Sequence, residues 1–468
     1  MIRHKSFIEA RATSRPWLLA KGSISLLIVS FVLLALTLPA AAQPTTPETA
    51  SWAIPQGDLT LKQAHAIARQ NSPSQEQATA RIEAAVAVLK QATSAWSPRL
   101  TARGSSFYHD GVQQLDWQPE VRAHDSFVQH SAAVELSWLV FDGFAREATI
   151  LQSRYRIEQQ QQLQIETTRL LLKAVSRAYY QAQMALEEMV VAQENRKFNR
   201  ILEDESKKRW LAGAIPEAEM LNFSVRALQA ESDFLSADER FKVACAALAE
   251  LMGLNQGDTR LPQRAERDVL AEMPYDFATE NAYAYEYRSD LQAIDRQLQA
   301  LQQQDRTVKA TFYPSVHLVG GSSWNKAEDQ ASTDQTEHDT YAGLNLNWDL
   351  FEGGQRTGQR REIDAQISQL KAQRRQMELE IQSQLRQSLD QAQAALAIFR
   401  KQQQTFELTY KIRSHTEQAY RAGVATLTRL NESQTDLVKA SASVAQSRIN
   451  YLLALEMVAS TSGRILAE

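Results

Sequence analysis

The chain has one cysteine, Cys245, among 468 residues, so no disulfide can close within it even in an oxidising compartment. Cys245 falls in the apolar helical run 243–251 and reads as a core residue. Glycine (16) and proline (12) are scarce, and both are missing altogether from 144–212 and from 359–422. Uninterrupted stretches of that length exclude a fold of short elements joined by turns. Beyond residue 42 no apolar run reaches the ~18 residues of a membrane-spanning helix, so any span there must be made of β-barrel strands. There is no H-E-x-x-H, no Cys/His ligand spacing, no G-x-S-x-G and no phosphate-binding loop. An enzyme reading therefore has no supporting constellation, ATP hydrolysis has no seat, and no cofactor is implied. The eight histidines are scattered. His109, His124 and His130 share one polar segment with Asp110, Asp116 and Asp125, where exposed loop residues are the ordinary reading and a metal site the sharper one.

The first 42 residues stand apart. Arg3, Lys5, Arg11, Arg15 and Lys21 form a basic leader, 24–38 is a mostly apolar run, and Ala40-Ala41-Ala42 precedes Gln43. That is the layout of a secretory signal peptide cleaved near Ala42/Gln43, with a retained N-terminal anchor as the rival. No cysteine follows the cleavage site, so lipidation is not expected. The leader holds five basic residues and one acidic residue. The remainder carries 46 Lys+Arg against 54 Asp+Glu, a net charge of −8, which disfavours nucleic acid as a partner.

Two long helices organise what is left. In 359–422, Ile363, Ile367, Leu370, Met377, Ile381, Leu385, Leu389, Ala392, Leu396 and Phe399 follow mostly in steps of three and four, one face of a helix. A 64-residue helix is roughly 95 Å long and needs lateral partners, as in a coiled coil. Its counterpart is 144–212. Trp138-Leu139-Val140-Phe141-Asp142-Gly143 precedes the first, and Trp348-Asp349-Leu350-Phe351-Glu352-Gly353-Gly354 precedes the second. Trp138 to Trp348 and Gly213 to Gly423 are each displaced by 210 residues: the chain contains an internal repeat.

The expected order is an extended lead-in (43–58) and a first repeat (59–253). That repeat holds a helix broken near Pro73 and ended by Pro98, strands 99–109 and 131–141, long helix 143–212 and helix 216–252. A linking insertion (254–277) leads to the second repeat (278–463), with a helix ended by Pro314, strands 315–324 and 341–350, long helix 354–422 and helix 426–461. A short tail, 464–468, follows. Residues 110–130 and 325–340 read as polar loops. In 131–141, Ala132, Val134, Leu136, Trp138 and Val140 alternate with Ser131, Ala133, Glu135 and Ser137; in 341–350, Ala342, Leu344, Leu346, Trp348 and Leu350 alternate with Gly343, Asn345, Asn347 and Asp349. This is period two, over the length that crosses a bilayer at a tilt. Trp138 and Trp348 suit an interfacial aromatic girdle; a soluble sandwich with tryptophan in its core is the other reading. Four strands cannot close a barrel, and an open sheet in lipid leaves two unpaired edges, so at least two copies must pool strands. The polar strand faces would then line a wet lumen.

With these motifs in this order, twice, the chain resembles the TolC family of outer-membrane efflux proteins (outer membrane factors) over nearly all of its length beyond the leader. The junction sequences at 138–143 and 348–354 resemble the family's L-F-D-G-G. Ala310-Thr311-Phe312-Tyr313-Pro314 resembles its helix-to-strand turn, with Ala95-Trp96-Ser97-Pro98 a weaker copy. The resemblance implies a mainly α fold with a small β part. Long antiparallel coiled-coil helices form a periplasmic α-barrel, and four strands per chain contribute to a twelve-stranded barrel shared by a homotrimer in the outer membrane of a Gram-negative bacterium. It implies a passive export duct working with a periplasmic adaptor (membrane fusion protein) and an inner-membrane transporter of the proton-driven RND or the ABC kind. The turns with Arg209, Gly213 and Ala214, and with Gly423, Val424 and Thr426, would be the adaptor-docking tip. Family members often place acidic residues just past these turns. Here the matching positions are Glu219, Asn222, Arg429 and Glu432; Arg429 departs from the pattern and could pair with Glu432 to latch a closed tip, or all four could be solvated surface. A periplasmic coiled-coil scaffold without a channel is the alternative from another class, and within the channel class drug or solvent efflux competes with type I secretion.

Overall fold

The computed structural model describes residues 59–115, 118–254, 273–329 and 335–467. The leader, the lead-in and residues 255–272 of the insertion lie outside the described residues. Twelve helices and strands follow one another among the described residues. The first repeat holds α1 (Leu61–Asn71), α2 (Pro73–Ser94), β1 (Arg99–Leu115), β2 (Gln118–Phe141), α3 (Ala145–Leu211) and α4 (Glu217–Leu251). The second holds α5 (Phe277–Tyr287), α6 (Ser289–Ala310), β3 (Ser315–Asp329), β4 (Gln335–Asn347), α7 (Gln355–Arg421) and α8 (Leu427–Ser462). A turn of 3₁₀ helix, Arg464–Leu466, follows Gly463. The second repeat thus opens with a broken helix, as the first does: Arg288, in extended backbone, separates α5 from α6.

The four strands form one antiparallel sheet in the order β1-β2-β3-β4. Trp138 lies opposite Leu318 at the central seam, Arg99 opposite Ser137 and Ser315 opposite Asn347 in the two hairpins. The segments expected as polar loops are largely strand, since β1 and β2 continue far past residues 109 and 131, and β3 and β4 past 324 and 341. Backbone pairing, once started, extends without needing an apolar face. β4 stops at Asn347 instead of 350, where β3, its one neighbour among the described residues, has its own end at Ser315.

α3 and α7 each run 67 residues without a break. Next to the sheet the helices lie side by side as α2-α3-α6-α7; towards the glycine turns the order is α4-α3-α8-α7. Each long helix therefore changes neighbours partway along, which is why no single apolar stripe runs its whole length. In the exchange zone α1 packs on α3 and α5 on α7. The largest core cluster sits there, with Leu59, Ile67, Val175, Tyr179, Leu248, Met252 and Leu452.

Charges are buried in the same zone, and each has a partner. Arg169 donates to the Ser460 carbonyl (2.7 Å) and pairs with Glu166 (2.6 Å); Arg288 donates to the Thr461 carbonyl (3.1 Å) and pairs with Asp290. Those carbonyls end α8, where the helix dipole favours cations. Glu166 also accepts from the Ser289 hydroxyl (3.0 Å), and Arg464 from the tail pairs with Glu280 (2.7 Å). Burial opposes the charge of Arg169, but the hydrogen bond to Glu166 and the charges of Glu166 and Asp290 together outweigh it and raise its pKa.

His65 of α1 lies in this core with its Nε2 2.8 Å from the Ser176 hydroxyl. Burial, and then the charge of Arg69, lower its pKa to about 4 against a hydrogen bond to the Leu172 backbone. Below pH 6.5 the unfolded chain takes up a proton that the folded chain refuses, so stability falls as the pH drops towards 4. The loss amounts to about 3 kcal/mol when complete. His65→Gln, which does not titrate, is expected to lose less stability between pH 7.5 and 4.5 than the parent does in thermal melts. Equal losses would show that His65 is not the titrating group.

Candidate functional site

Three features stand along the molecule: the two faces of the sheet, the strand-to-helix junctions, and the pair of glycine turns at the far helix ends. On β2, Val134, Leu136, Trp138 and Val140 are exposed, while Ser131, Ala133, Glu135 and Ser137 between them are half-buried. Leu100 on β1 and Leu344 and Leu346 on β4 fall on the same exposed face by pairing register. A continuous apolar face without cover is a surface for lipid or a partner. The opposite face is polar. Arg103 pairs with Glu135 across β1 and β2 (3.1 Å), the Ser105 and Ser131 hydroxyls meet at 2.6 Å, and the Tyr341 ring lies over Gly321.

Both junctions are built alike. Gly143 (φ +66°) and Phe144 (φ +70°) turn β2 into α3; Gly353 (φ +57°) and Gly354 (φ +89°) lead into α7. The Gly143 backbone is held so closely that a Cβ there would lie 2.6 Å from the Ala310 carbonyl oxygen. In the first helical turn Arg146 donates to the Leu139 (2.7 Å) and Val140 (2.9 Å) carbonyls and pairs with Asp142 (3.2 Å). Arg356, 210 residues on, donates to the Asp349 carbonyl and pairs with Glu352 (2.8 Å). Each arginine reaches back to backbone carbonyls at or just past the end of the preceding strand. Arg146 lies over the Trp96 ring and Arg356 over the Phe312 ring; Trp138 Nε1 donates to the Trp96 carbonyl (2.9 Å) and Trp348 Nε1 to the Phe312 carbonyl (3.1 Å). The sequence reading named Asp142, Glu352 and the tryptophans but missed both arginines, which the 210-residue displacement alone would have matched. Phe141 stacks edge-on with Phe144, whereas Phe351 is 88% exposed.

At the far end both long helices stop in the same way. The amide of Gly213 (φ +72°) donates to Trp210 O and that of Ala214 to Arg209 O; the amide of Gly423 (φ +78°) donates to Tyr420 O and that of Val424 to Ala419 O. These are Schellman turns, which need a left-handed residue and so favour glycine. The Thr426 hydroxyl then caps α8 by accepting from the Arg429 amide (3.3 Å). Leu211 (77%) and Val424 (82%) are left in solvent. Tyr420, which the sequence reading also missed, ties the two turns together. Its hydroxyl accepts from Arg209 (3.3 Å) and donates to Glu219 (3.4 Å). Burial raises its pKa, with the charge of Arg209 working against it and that of Glu219 for it. Of the four residues past the turns, Glu219 joins this link and Arg429 pairs with Glu432 in the same helix (3.4 Å). Asn222 donates to the Ala218 carbonyl (3.0 Å). The Arg429–Glu432 pair is largely exposed and screened, so within one chain it contributes ~0.5 kcal/mol at most.

The profile described as outer membrane efflux protein matches residues 66–254 and 283–464, one segment in each repeat. Protein CyaE of Bordetella pertussis is 25% identical over 338 residues, 68% of this chain and 67% of its own. Among solved structures, the outer membrane protein VceC of Vibrio cholerae superposes with a TM-score of 0.65 at 16% identity, covering 86% of this chain and 96% of VceC. The CmeC outer membrane channel of Campylobacter jejuni gives 0.69 at 14% identity, covering 86% of this chain and 85% of CmeC. At these identities the structural likeness speaks for the fold.

Replacing Arg146 by methionine leaves the Asp142 carboxylate and two strand-end carbonyls without their buried cation, a loss of about 3 kcal/mol or more. Arg356→Met is expected to cost less, because Glu352 retains more contact with water (31% exposed, against 12% for Asp142). Thermal melts followed by circular dichroism test the ranking, and equal melting temperatures for parent and Arg146→Met would refute it.

Proposed function

The chain belongs to the outer membrane efflux protein family, and from that premise we propose that three copies form one continuous export duct across the outer membrane and into the periplasm. The observation that carries this reading is the four-stranded sheet with an apolar face in the open and its edge strands, β1 and β4, without a further strand beside them among the described residues. The helical layer leaves the same sides open: α2 and α4 at one edge, α7 at the other. Edges of that kind fit a head-to-tail ring, in which each copy presents one edge to the next. Three copies supply twelve strands, enough to enclose a lumen lined by the polar face.

In this reading the duct is passive. The periplasmic adaptor docks on the two Schellman turns, where Leu211 and Val424 offer apolar contact, and an RND- or ABC-type transporter in the inner membrane supplies substrate and energy for efflux or type I secretion. The tip is held closed by two sets of polar ties. Tyr420 links Arg209 to Glu219 within a chain, and Arg429 and Glu432 ring the aperture when three chains meet.

The assembly is tested by the mass of the mature protein extracted from outer-membrane fractions in detergent. Three chains per particle are expected, and a monomer in the soluble periplasmic fraction would sink the channel reading. The latch is tested in planar bilayers, where Arg429→Ala and Tyr420→Phe should each raise single-channel conductance. Unchanged conductance in both would remove the latch while leaving the duct standing.

A further inference from the structure

The two repeats coincide at the level of single paired residues. Adding 216 carries α2 and β1 onto α6 and β3 (Pro98 to Pro314), and adding 210 carries β2 and α3 onto β4 and α7 (Trp138 to Trp348). Applied to the Arg99–Ser137 pair of the first hairpin, these shifts give Ser315–Asn347, which is the pair found in the second hairpin. The seam between the repeats joins β2 to β3, with Val134 opposite Ser322, Glu135 opposite Gly321 and Leu136 opposite Gly320.

Carrying that seam forward by one repeat moves β2 onto β4, and β3 onto the β1 of another copy. We infer that β4 pairs antiparallel with β1 of a second copy in one register: Gly343 opposite Phe107, Leu344 opposite Ser106, Asn345 opposite Ser105, Leu346 opposite Gly104 and Asn347 opposite Arg103. The inference rests on the reading that copies share one barrel and goes beyond it by fixing which residues meet.

Side chains outside the repeat arithmetic agree with this register. Within one chain Gly321 lies opposite Tyr341, whose ring atoms come within 3.0 Å of where a Cβ would be. An aromatic ring covering a cross-strand glycine stabilises a sheet. Gly343 has nothing within 4 Å among the described residues, and Phe107 is 60% exposed; the register brings that ring onto that glycine. Gly104, open towards solvent, receives Leu346, which is 63% exposed. Both edge glycines thus meet a large side chain that lacks cover. The junction obeys the same rule. Gly143 abuts the Ala310 carbonyl, its counterpart Gly353 has nothing within 4 Å among the described residues, and subtracting 216 from 310 points to Ser94 at the end of α2 in the second copy.

Disulfide trapping tests the register in the full-length protein with Cys245 replaced by alanine. β1 and β4 lie at opposite edges of one chain's sheet, about 14 Å apart at the usual strand spacing, so a bond between them can form only across copies. Neighbouring cross-strand pairs alternate between the two hydrogen-bonding types, and their Cβ separations differ. Asn345→Cys with Ser105→Cys and Leu344→Cys with Ser106→Cys are therefore both made. At least one should convert the monomer band to covalent dimer and trimer bands on non-reducing gels. Asn345→Cys combined with Arg103→Cys or with Phe107→Cys, two residues out of register, should not. A trimeric particle in which a shifted pair links as well as the in-register pairs, or in which none links, overturns the register and leaves the shared barrel intact. A monomeric particle overturns both.

Discussion

A backbone amide or carbonyl in hydrocarbon has no water to turn to, and each one left unpaired costs several kcal/mol. The strand order β1-β2-β3-β4 satisfies the inner seams and leaves the outer rows of β1 and β4 unmet among the described residues. That single deficit orders the rest of the architecture. It demands neighbours, and the chain's second half, built on the plan of the first, shows what kind of neighbour fits. The helical layer follows the same logic, because α2, α4 and α7 stand at its margins as β1 and β4 do at those of the sheet.

The junctions show how strand and helix are fastened together. A strand ending at a membrane surface and a helix starting there both expose backbone groups, carbonyls from one and amides from the other. Arg146 and Arg356 answer the carbonyls, and Asp142 accepts from the Arg146 amide (3.0 Å). At the C-terminal end of α8, Arg169 and Arg288 answer its last carbonyls. Arginine recurs at these ends because its planar fork holds several oxygens at once and its charge is not readily lost on burial.

Much of this was legible in the residues. The long helices follow from stretches without glycine or proline, the turns from Gly213 and Gly423, and the repeat from Trp138 and Trp348. The full length of the strands was not legible, because the sequence beyond residue 109 is polar without a clean period of two. Ladder hydrogen bonds that carry such strands onward leave no mark in side-chain type. Arg146 and Arg356 were hidden among many arginines on helices; what distinguishes them is a three-dimensional reach to strand carbonyls. Tyr420 was hidden for a similar reason, since the two turns it ties are some two hundred residues apart and nothing local announces their contact. The insertion around 254–277 lies mostly outside the described residues, and the sequence gives it no pattern to supply the lack.

The tandem arrangement also bears on how such a ring comes together in time. A covalent tether turns the β2–β3 encounter into an intramolecular event, one whose rate does not depend on how many chains are present. Half of the six seams in a ring of three chains thus close without waiting for diffusion. The other three depend on how many chains share a patch of membrane, so dilution slows completion of the ring without touching the hairpins or their central seam. Splitting the gene between the repeats would double the number of encounters to be made by chance, from three to six, for a product with the same contacts.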